Sequence, residues 1–288
     1  MQPATLTRTA WITGAGGLIG SWIVRKAETQ APQWSVRPLT RQDLDLTDFA
    51  AVQQRFRLER PALIIHCAAI SQSPACQADP TLAHKINVGV TAMLAELAAD
   101  IPFVFFSSDL VFDGRQGNYQ ETDAVNPLNV YGETKVAAEQ FVRAHPGHTI
   151  IRTSLNGGVS PMRDRSFNEQ MRRAWQAGQS LTLFTDEFRC PIPAMVTART
   201  VWELVAKKAV GSYHVAGSER LSRWQTGQLV AARWPELNPK IEPASLKEYQ
   251  AALRPADASL NCEKVQKLLS FPLPRLTDWL EEHSDEEF

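Results

Sequence analysis

A chain of 288 residues is long enough for one large α/β unit with a smaller companion, and for a substantial core. Thirty basic against thirty-one acidic side chains leave a formal charge of −1 with no long basic run, which argues against nucleic acid or an anionic membrane as a partner. No apolar stretch approaches the ~20 residues of a membrane span, the start of the chain lacks a charged-then-apolar leader pattern, and Cys67, Cys76, Cys190 and Cys262 show neither C-x-x-C nor zinc-ligand spacing. The expectation is a cytoplasmic protein with free thiols and no metal site.

Residues 9–13 form a short apolar run that stops at Gly14-Ala-Gly-Gly-Leu-Ile-Gly20, and residues 21–29 then carry helical periodicity. Strand, glycine turn and helix in that order point to a dinucleotide site. The spacing of Gly14, Gly17 and Gly20 lets the chain turn sharply and the helix pack tightly on the strand. Backbone N–H groups around Leu18 and Ile19, at the positive end of the helix, then face a pyrophosphate. The run at 34–40 reads as the second strand, and its end is where an adenosine ribose should sit. The usual acidic residue for a free 2′-hydroxyl is missing there. Arg41 stands in that region, with Arg37 earlier in the run, and a guanidinium suits a 2′-phosphate, a solvated loop charge being the other reading of Arg41. NADP(H) is therefore the preferred cofactor, with NAD(H) as the alternative. Asp45, followed by Leu46, can accept from an adenine amino group, and Thr47 or Asp48 can cap a helix over Phe49–Glu59.

Residues 61–69 are apolar, as a parallel strand buried on both faces should be, and small Ala68 and Ala69 leave room for a cofactor to pass. His66 near the end of this run reads as a satisfied core histidine. A helix is expected over 80–99, with Asn87 inside it able to hydrogen-bond active-site backbone. A fourth strand at 101–106 ends in Ser107-Ser-Asp109, at the edge where open α/β sheets bind ligands, so Ser108 and Asp109 are candidate substrate contacts. A loop over 110–128, long enough to help cover a substrate, leads into the next helix.

That helix carries Tyr131 and Lys135, four residues apart and so on one face, with the ammonium able to lie near the phenol. A tyrosine pKa near ~10 is too high for efficient proton exchange at neutral pH, and the cation is expected to pull it down. The bland alternative is an amphipathic helix with a Tyr and a Lys at its edge. What outweighs it is the order: glycine turn, carboxylate loop, serine at a strand end, then Tyr-x-x-x-Lys. Beyond a fifth strand at 148–152 the strand-helix alternation ends. Helices are expected around 167–177, 197–208, 222–232 and 261–269, with 212–215 returning to the sheet. Residues 1–155 thus read as a Rossmann-type, doubly wound parallel sheet, and residues 156–288 as a smaller, mostly helical substrate lobe in which Asn156 is a candidate contact. Residues 281–287 read as an acidic, frayed tail.

Taken together, the chain resembles the extended short-chain dehydrogenase/reductase family, through Thr13-Gly-x-x-Gly-x-x-Gly20, Asp45-Leu46 and Tyr131-x-x-x-Lys135. Within it the likeness is to dTDP-4-dehydrorhamnose reductases, carried by Phe106-Ser-Ser-Asp-Leu-Val-Phe-Asp-Gly114, Glu121-Thr-Asp123, Pro127-Leu-Asn-Val-Tyr-Gly-Glu-Thr-Lys135, Ile151-Arg-Thr-Ser154 and Arg254-Pro-Ala-Asp-Ala-Ser259. The resemblance implies an NADPH-dependent reductase of a keto group on a nucleotide-activated sugar, or of a related small keto or aldehyde substrate. It implies that Ser108 hydrogen-bonds the reacting oxygen, that Tyr131 gives it a proton, and that Lys135 holds the nicotinamide ribose. Arg254 becomes a candidate for a diphosphate or other anion, with a structural salt bridge as the other reading. Two stretches depart from the group: 70–79 replaces a Val-Asp-Lys-Ala-Glu type run, and Leu155 stands where an aromatic often follows Arg-Thr-Ser. Both fall near where the family holds its substrate. The same resemblance also admits an NADP-binding regulatory subunit like the β subunit of methionine adenosyltransferase, or an epimerase or dehydratase that retains NAD. Intact Ser108, Tyr131 and Lys135 favour the enzyme. A homodimer is the default assembly.

Overall fold

The computed structural model describes residues 8–248, 253–284, 286 and 288. Strand β1 (Arg8–Thr13) runs through the glycine turn into helix α1 (Leu18–Gln30), and β2 (Trp34–Leu39) pairs parallel to β1. Asp48 caps α2 (Phe49–Glu59) by accepting from the Ala51 N–H, and β3 (Leu63–His66) then pairs with β1 on its other side. The stretch at 70–79, which departs from the resembled group, contains helix α3 (Ser73–Ala78). The helix expected over 80–99 is interrupted: α4 (Pro80–His84) and α5 (Val90–Leu97) are joined by a π-helical turn, Lys85–Gly89. β4 (Phe103–Ser108), α6 (Val130–Arg143) and β5 (Thr149–Thr153) complete the first half, with the Asn129 side chain capping α6 on the Gly132 N–H.

Beyond residue 155 come β6 (Asn156–Gly157), α7 (Phe167–Gln176), β7 (Ser180–Phe184), β8 (Phe188–Arg189), β9 (Ile192–Pro193), α8 (Ala194–Ala206) and β10 (Gly211–Val215). They are followed by β11 (Leu221–Ser222), α9 (Arg223–Ala231), β12 (Lys240–Ala244), α10 (Glu263–Gln266) and α11 (Leu276–Glu282). The central sheet has the order β10-β5-β4-β3-β1-β2, all parallel, so the segment around 212–215 does rejoin it, beside β5. The expected helices are accompanied by three two-stranded ladders, β6 with β9, β7 with β12 and β8 with β11. Four of these strands, β6, β8, β9 and β11, have only two residues and leave no periodicity to read. The helix expected at 261–269 shrinks to α10, and Glu281 and Glu282 belong to α11, so the frayed tail does not begin there. Residues 285 and 287 of that expectation lie outside the described residues.

Alternation along the strands divides the core in two. Ile12, Ile65, Phe106 and Ile151 face α1 and α8, where Ile23, Val201 and Trp202 meet them. Trp11, Ile64, Phe105 and Ile150 face the other way, against Val52, Leu94, Ala138 and Val142. A third cluster, with Phe167, Trp175, Val230, Leu276, Trp279 and Phe288, holds the lobe together. The site lies where the carboxyl ends of the strands meet that lobe.

Candidate functional site at the carboxyl edge of the sheet

The cofactor side is built from backbone. Gly14 has a φ of 68°, and a Cβ there would stand 2.7 Å from the Ala68 nitrogen and 2.8 Å from the Cys67 carbonyl carbon. A Cβ on Gly20 would come within 2.3 Å of the Gly14 oxygen, so α1 can seat itself this tightly on the turn only without side chains at both places. The first turn of α1 has no side-chain cap and no acidic residue. Leu18 is buried and Ile19 packs on the core, so what these positions offer a ligand is their backbone N–H groups. An uncapped, acid-free helix start beside a glycine turn fits a pyrophosphate.

Arg41 is exposed just beyond β2 and Asp45 feels its charge. Arg37 is directed elsewhere, 3.7 Å from Glu59, the carboxylate that also accepts from Trp11 Nε1 at 2.8 Å. The Asp45 carboxylate accepts from the Thr47 N–H at 2.9 Å and hydroxyl at 2.8 Å, and these bonds hold it below the usual carboxylate range. Leu46 packs on the second core cluster, and Ala68 and Ala69, half-buried, follow the end of β3. His66 bridges Thr13 and Thr91 at 2.7 Å and 3.1 Å, and burial pulls its pKa down to about 3, so it is a neutral core histidine. Asn87, in the π-helical turn, accepts from the Ile70 N–H at 2.8 Å and donates to the Ile70 carbonyl and Thr134 hydroxyl, both at 3.0 Å. It ties the loop after β3 to α6, the backbone role expected of it. The extra residue of the π turn is what aims a side chain sideways from a helix.

The candidate reactive side chains converge from β4 and α6. Ser108 ends β4 and Tyr131 and Lys135 lie one turn apart on α6, all three buried. The Lys135 ammonium donates to the Phe106 carbonyl at 2.9 Å and lies 5.8 Å from the Tyr131 ring centroid. Burial lowers the Lys135 pKa to about 8. Burial pushes the Tyr131 phenol up; a Ser108 hydrogen bond draws it partly back, and the Asp109 charge raises it further. This is the reverse of the lowering expected from the Tyr131–Lys135 spacing, because desolvation of a buried phenolate dominates and the ammonium is engaged by a carbonyl.

Beneath the triad, Glu139 sits one turn beyond Lys135 and accepts two bonds from Arg152, at 2.9 Å and 2.8 Å, with both residues almost wholly buried. Burial works against the Glu139 charge, but Arg152 outweighs it and holds the carboxyl below its usual range. On the lobe side, Asp109 accepts from Ser108 Oγ at 3.0 Å and Ser154 Oγ at 2.7 Å, with Arg189 Nε at 3.6 Å. Arg189 also meets Glu187 at 3.0 Å, and Glu187 is gripped at 2.8 Å and 2.9 Å by Arg254. Arg254 is therefore in the structural ion pair that was its alternative reading. Asn156 likewise serves the framework: its amide donates to Thr153 Oγ1 at 2.9 Å and the Ser154 carbonyl at 3.0 Å, and accepts from Thr197 at 2.7 Å. The 110–128 loop is stitched down by Asn118 N–H to Ser259 Oγ at 2.7 Å and Tyr119 N–H to the Ser259 carbonyl at 2.9 Å, which gives the Arg254 to Ser259 segment its structural purpose.

Two surface clefts of about 420 Å³ and 220 Å³ share Val159 and Glu286, and neither is lined by Ser108, Tyr131 or Lys135. All four cysteines are free, and no described helix is long and apolar enough to cross a membrane. Among the described residues no group of three or more His, Cys, Asp or Glu is placed to hold a metal ion.

The chain and its fold have counterparts among known proteins. The family model for the RmlD substrate binding domain matches residues 8–287. The chain belongs to that family. This RmlD-family chain is 30% identical over 278 residues to a dTDP-4-dehydrorhamnose reductase of Sinorhizobium fredii, covering 91% of this chain and 92% of the relative. It is 28% identical over 279 residues to methionine adenosyltransferase 2 subunit beta of Rattus norvegicus, covering 91% and 83%. Among solved structures it is similar to a dTDP-4-dehydrorhamnose reductase of Clostridium acetobutylicum, with a TM-score of 0.86, 28% identity and 96% and 98% of the two chains covered. A dTDP-4-dehydrorhamnose reductase of Bacillus anthracis in complex with NADP gives a TM-score of 0.86 at 26% identity, covering 96% and 98%. Of the site, Glu139, Ser154, Glu187 and Arg189 had escaped sequence reasoning. A charge closing the apolar strand Ile150-Ile-Arg152 was the one available signal that a buried partner must exist.

Proposed function

We propose that this protein is an NADP(H)-dependent oxidoreductase that reduces a keto group on a nucleotide-activated sugar, with dTDP-4-dehydrorhamnose as the first candidate and NAD(H) as the secondary cofactor. The observation that carries the reading is the convergence of buried Ser108, Tyr131 and Lys135 on the same carboxyl edge of the parallel sheet as the uncapped start of α1. The reductase names of the relatives at 30% and 28% identity add to it.

In this reading the Gly14 to Gly20 turn, with the N–H groups of Leu18 and Ile19, holds the pyrophosphate. Asp45 and Leu46 border the adenine, and Arg41 faces the 2′-phosphate. Ala68 and Ala69 leave a path past the sheet edge. When bound, the nicotinamide supplies the hydride. Lys135 turns from the Phe106 carbonyl toward the nicotinamide ribose, and Asp109 borders the substrate. Tyr131 donates its phenolic proton to the substrate oxygen. A phenol pushed up by burial is protonated at neutral pH, the state from which a donor must start. Ser108 hydrogen-bonds the same oxygen. A pair of donors fixed on β4 and α6 stabilises charge that develops only in the transition state.

A second reading rests on the relatives named methionine adenosyltransferase 2 subunit beta: a dinucleotide-binding subunit that acts through a protein partner. The test is NADPH consumption by purified protein against a panel of 4-keto nucleotide sugars. Consumption with at least one member supports the reductase. Binding of NADPH with no consumption across the panel moves the weight to the second reading.

A further inference from the structure

Ser108 has one proton and two lone pairs, and its surroundings leave little freedom in their use. The Leu110 N–H donates to its Oγ at 3.1 Å, which fills one lone pair. Asp109 Oδ1 lies 3.0 Å away in a second direction, and Tyr131 is close enough for Ser108 to draw its phenol down. Which way the serine proton points therefore depends on what Asp109 does.

Asp109 is anchored asymmetrically. Its Oδ2 receives the Ser154 hydroxyl at 2.7 Å and faces Arg189 Nε at 3.6 Å, so both neighbours on that side are donors. A proton carried by the carboxyl group consequently sits on Oδ1, the oxygen turned to Ser108. With Asp109 ionised, Ser108 donates to Oδ1 and offers a lone pair toward Tyr131. With Asp109 neutral, Oδ1–H donates to Ser108 Oγ, both lone pairs are filled, and the serine proton is driven toward Tyr131 and whatever oxygen lies beside it.

We propose that Asp109, oriented by Ser154 and Arg189, is a positioning residue whose protonation switches Ser108 from acceptor to donor on the Tyr131 side of the site. The proposal rests on the reductase reading for its catalytic meaning: only the donor state of Ser108 can stabilise charge on a ketone oxygen. The charged and titratable groups facing Asp109 are Arg189, Glu187 and Arg223 from the lobe, Cys190 beside Arg189, and Tyr131 from α6. Burial raises the Asp109 pKa above the usual carboxylate range, with Arg189 as the main opposing influence, so the neutral form is favoured by the same enclosure that makes the geometry.

The test does not require the substrate. The chain has four tyrosines, and tyrosinate absorbance of the whole protein minus that of Tyr131→Phe isolates the Tyr131 titration. In Asp109→Asn the amide oxygen takes the Oδ2 place, where both neighbours donate, and the NH2 takes the Oδ1 place. This is a permanent copy of the neutral acid. Asp109→Asn should lower the Tyr131 titration by about one pH unit or more, and Ser108→Ala should remove most of that shift. An equal shift with and without Ser108 would mean that Asp109 acts through its field alone, and would overturn the proposal; so would no shift in either background.

Turnover gives a second measurement should Asp109→Asn fail to fold. Arg189→Met removes the cation that opposes the neutral acid, so the alkaline decline of kcat should move to higher pH, against the Lys135 titration as a common background. A decline that stays in place overturns the switch. If the wild-type protein reduces nothing, the reductase reading fails while the tyrosinate result still decides the hydrogen-bond switch.

Discussion

The two halves of the candidate site are built on different principles. The cofactor half uses backbone: a glycine turn at positive φ, a helix start with no cap, and two alanines that leave space. The candidate substrate half uses side chains recruited from far along the chain, with Asp109, Ser154, Glu187, Arg189 and Arg254 forming one chain of ion pairs and hydrogen bonds that runs from buried Asp109 to exposed Arg254. Local geometry is enough for the first. The second depends on contacts between residues far apart in the chain.

That contrast can be broken at the element both halves share. Glu139 and Arg152 form the floor under the triad, and Glu139→Ala leaves a buried guanidinium short of its partner. The fold should lose about 3–5 kcal/mol, read from denaturant unfolding. A loss under about 1 kcal/mol would mean that the pair is only incidental to the floor.

A second change should strike the cofactor half alone. Gly20→Ala places a methyl group within 2.3 Å of the Gly14 oxygen, so the α1 start must move away from the turn. NADPH affinity should fall about tenfold or more, measured by fluorescence titration, with the Tyr131 titration unmoved. Equal damage to both would show that the halves are mechanically one.

Arg41→Ala refines the cofactor half further. It should weaken NADPH by about tenfold, the scale of one charge-assisted bond, and NADH by much less. Equal losses for both retire the 2′-phosphate assignment.

The effect that is smallest at neutral pH concerns a histidine buried on one face of the sheet. His66 has a free-state pKa of 6.5 and a folded value near about 3, so the fold excludes its charged form. Stability from this source is full above about 6.5 and is lost as the pH falls toward about 3. The melting temperature should fall gradually across that window, and less so in His66→Gln. A variant that tracks the wild type would place the acid sensitivity in the carboxylates instead.

What could be read from the sequence follows the same division. Gly14 to Gly20, the Asp48 cap, the β3 run and Tyr131-x-x-x-Lys135 are local patterns, and the structure forms a turn, a cap, a buried strand and a shared helix face from them. Asn87 was visible as a polar residue in an apolar helix, though not the π turn that aims it, because one extra residue in a turn has no compositional mark. Arg189 ends the two-residue strand β8 and Glu187 directly precedes it, and a strand that short has no period to separate buried positions from exposed ones. Arg254 could be read as an ion-pair partner, but the carboxylate it would choose could not. The direction of the Tyr131 shift was misjudged for a related reason: spacing reveals the neighbouring lysine but says nothing of the burial that outweighs it.

The central claim is that Tyr131 is the proton donor of a reductase. The most direct measurement pairs NADPH turnover on the best substrate of the panel with NADPH titration, in the wild type and in Tyr131→Phe. The account predicts turnover reduced by about 10²-fold or more with NADPH affinity within about twofold of wild type. Turnover that survives the substitution would contradict it.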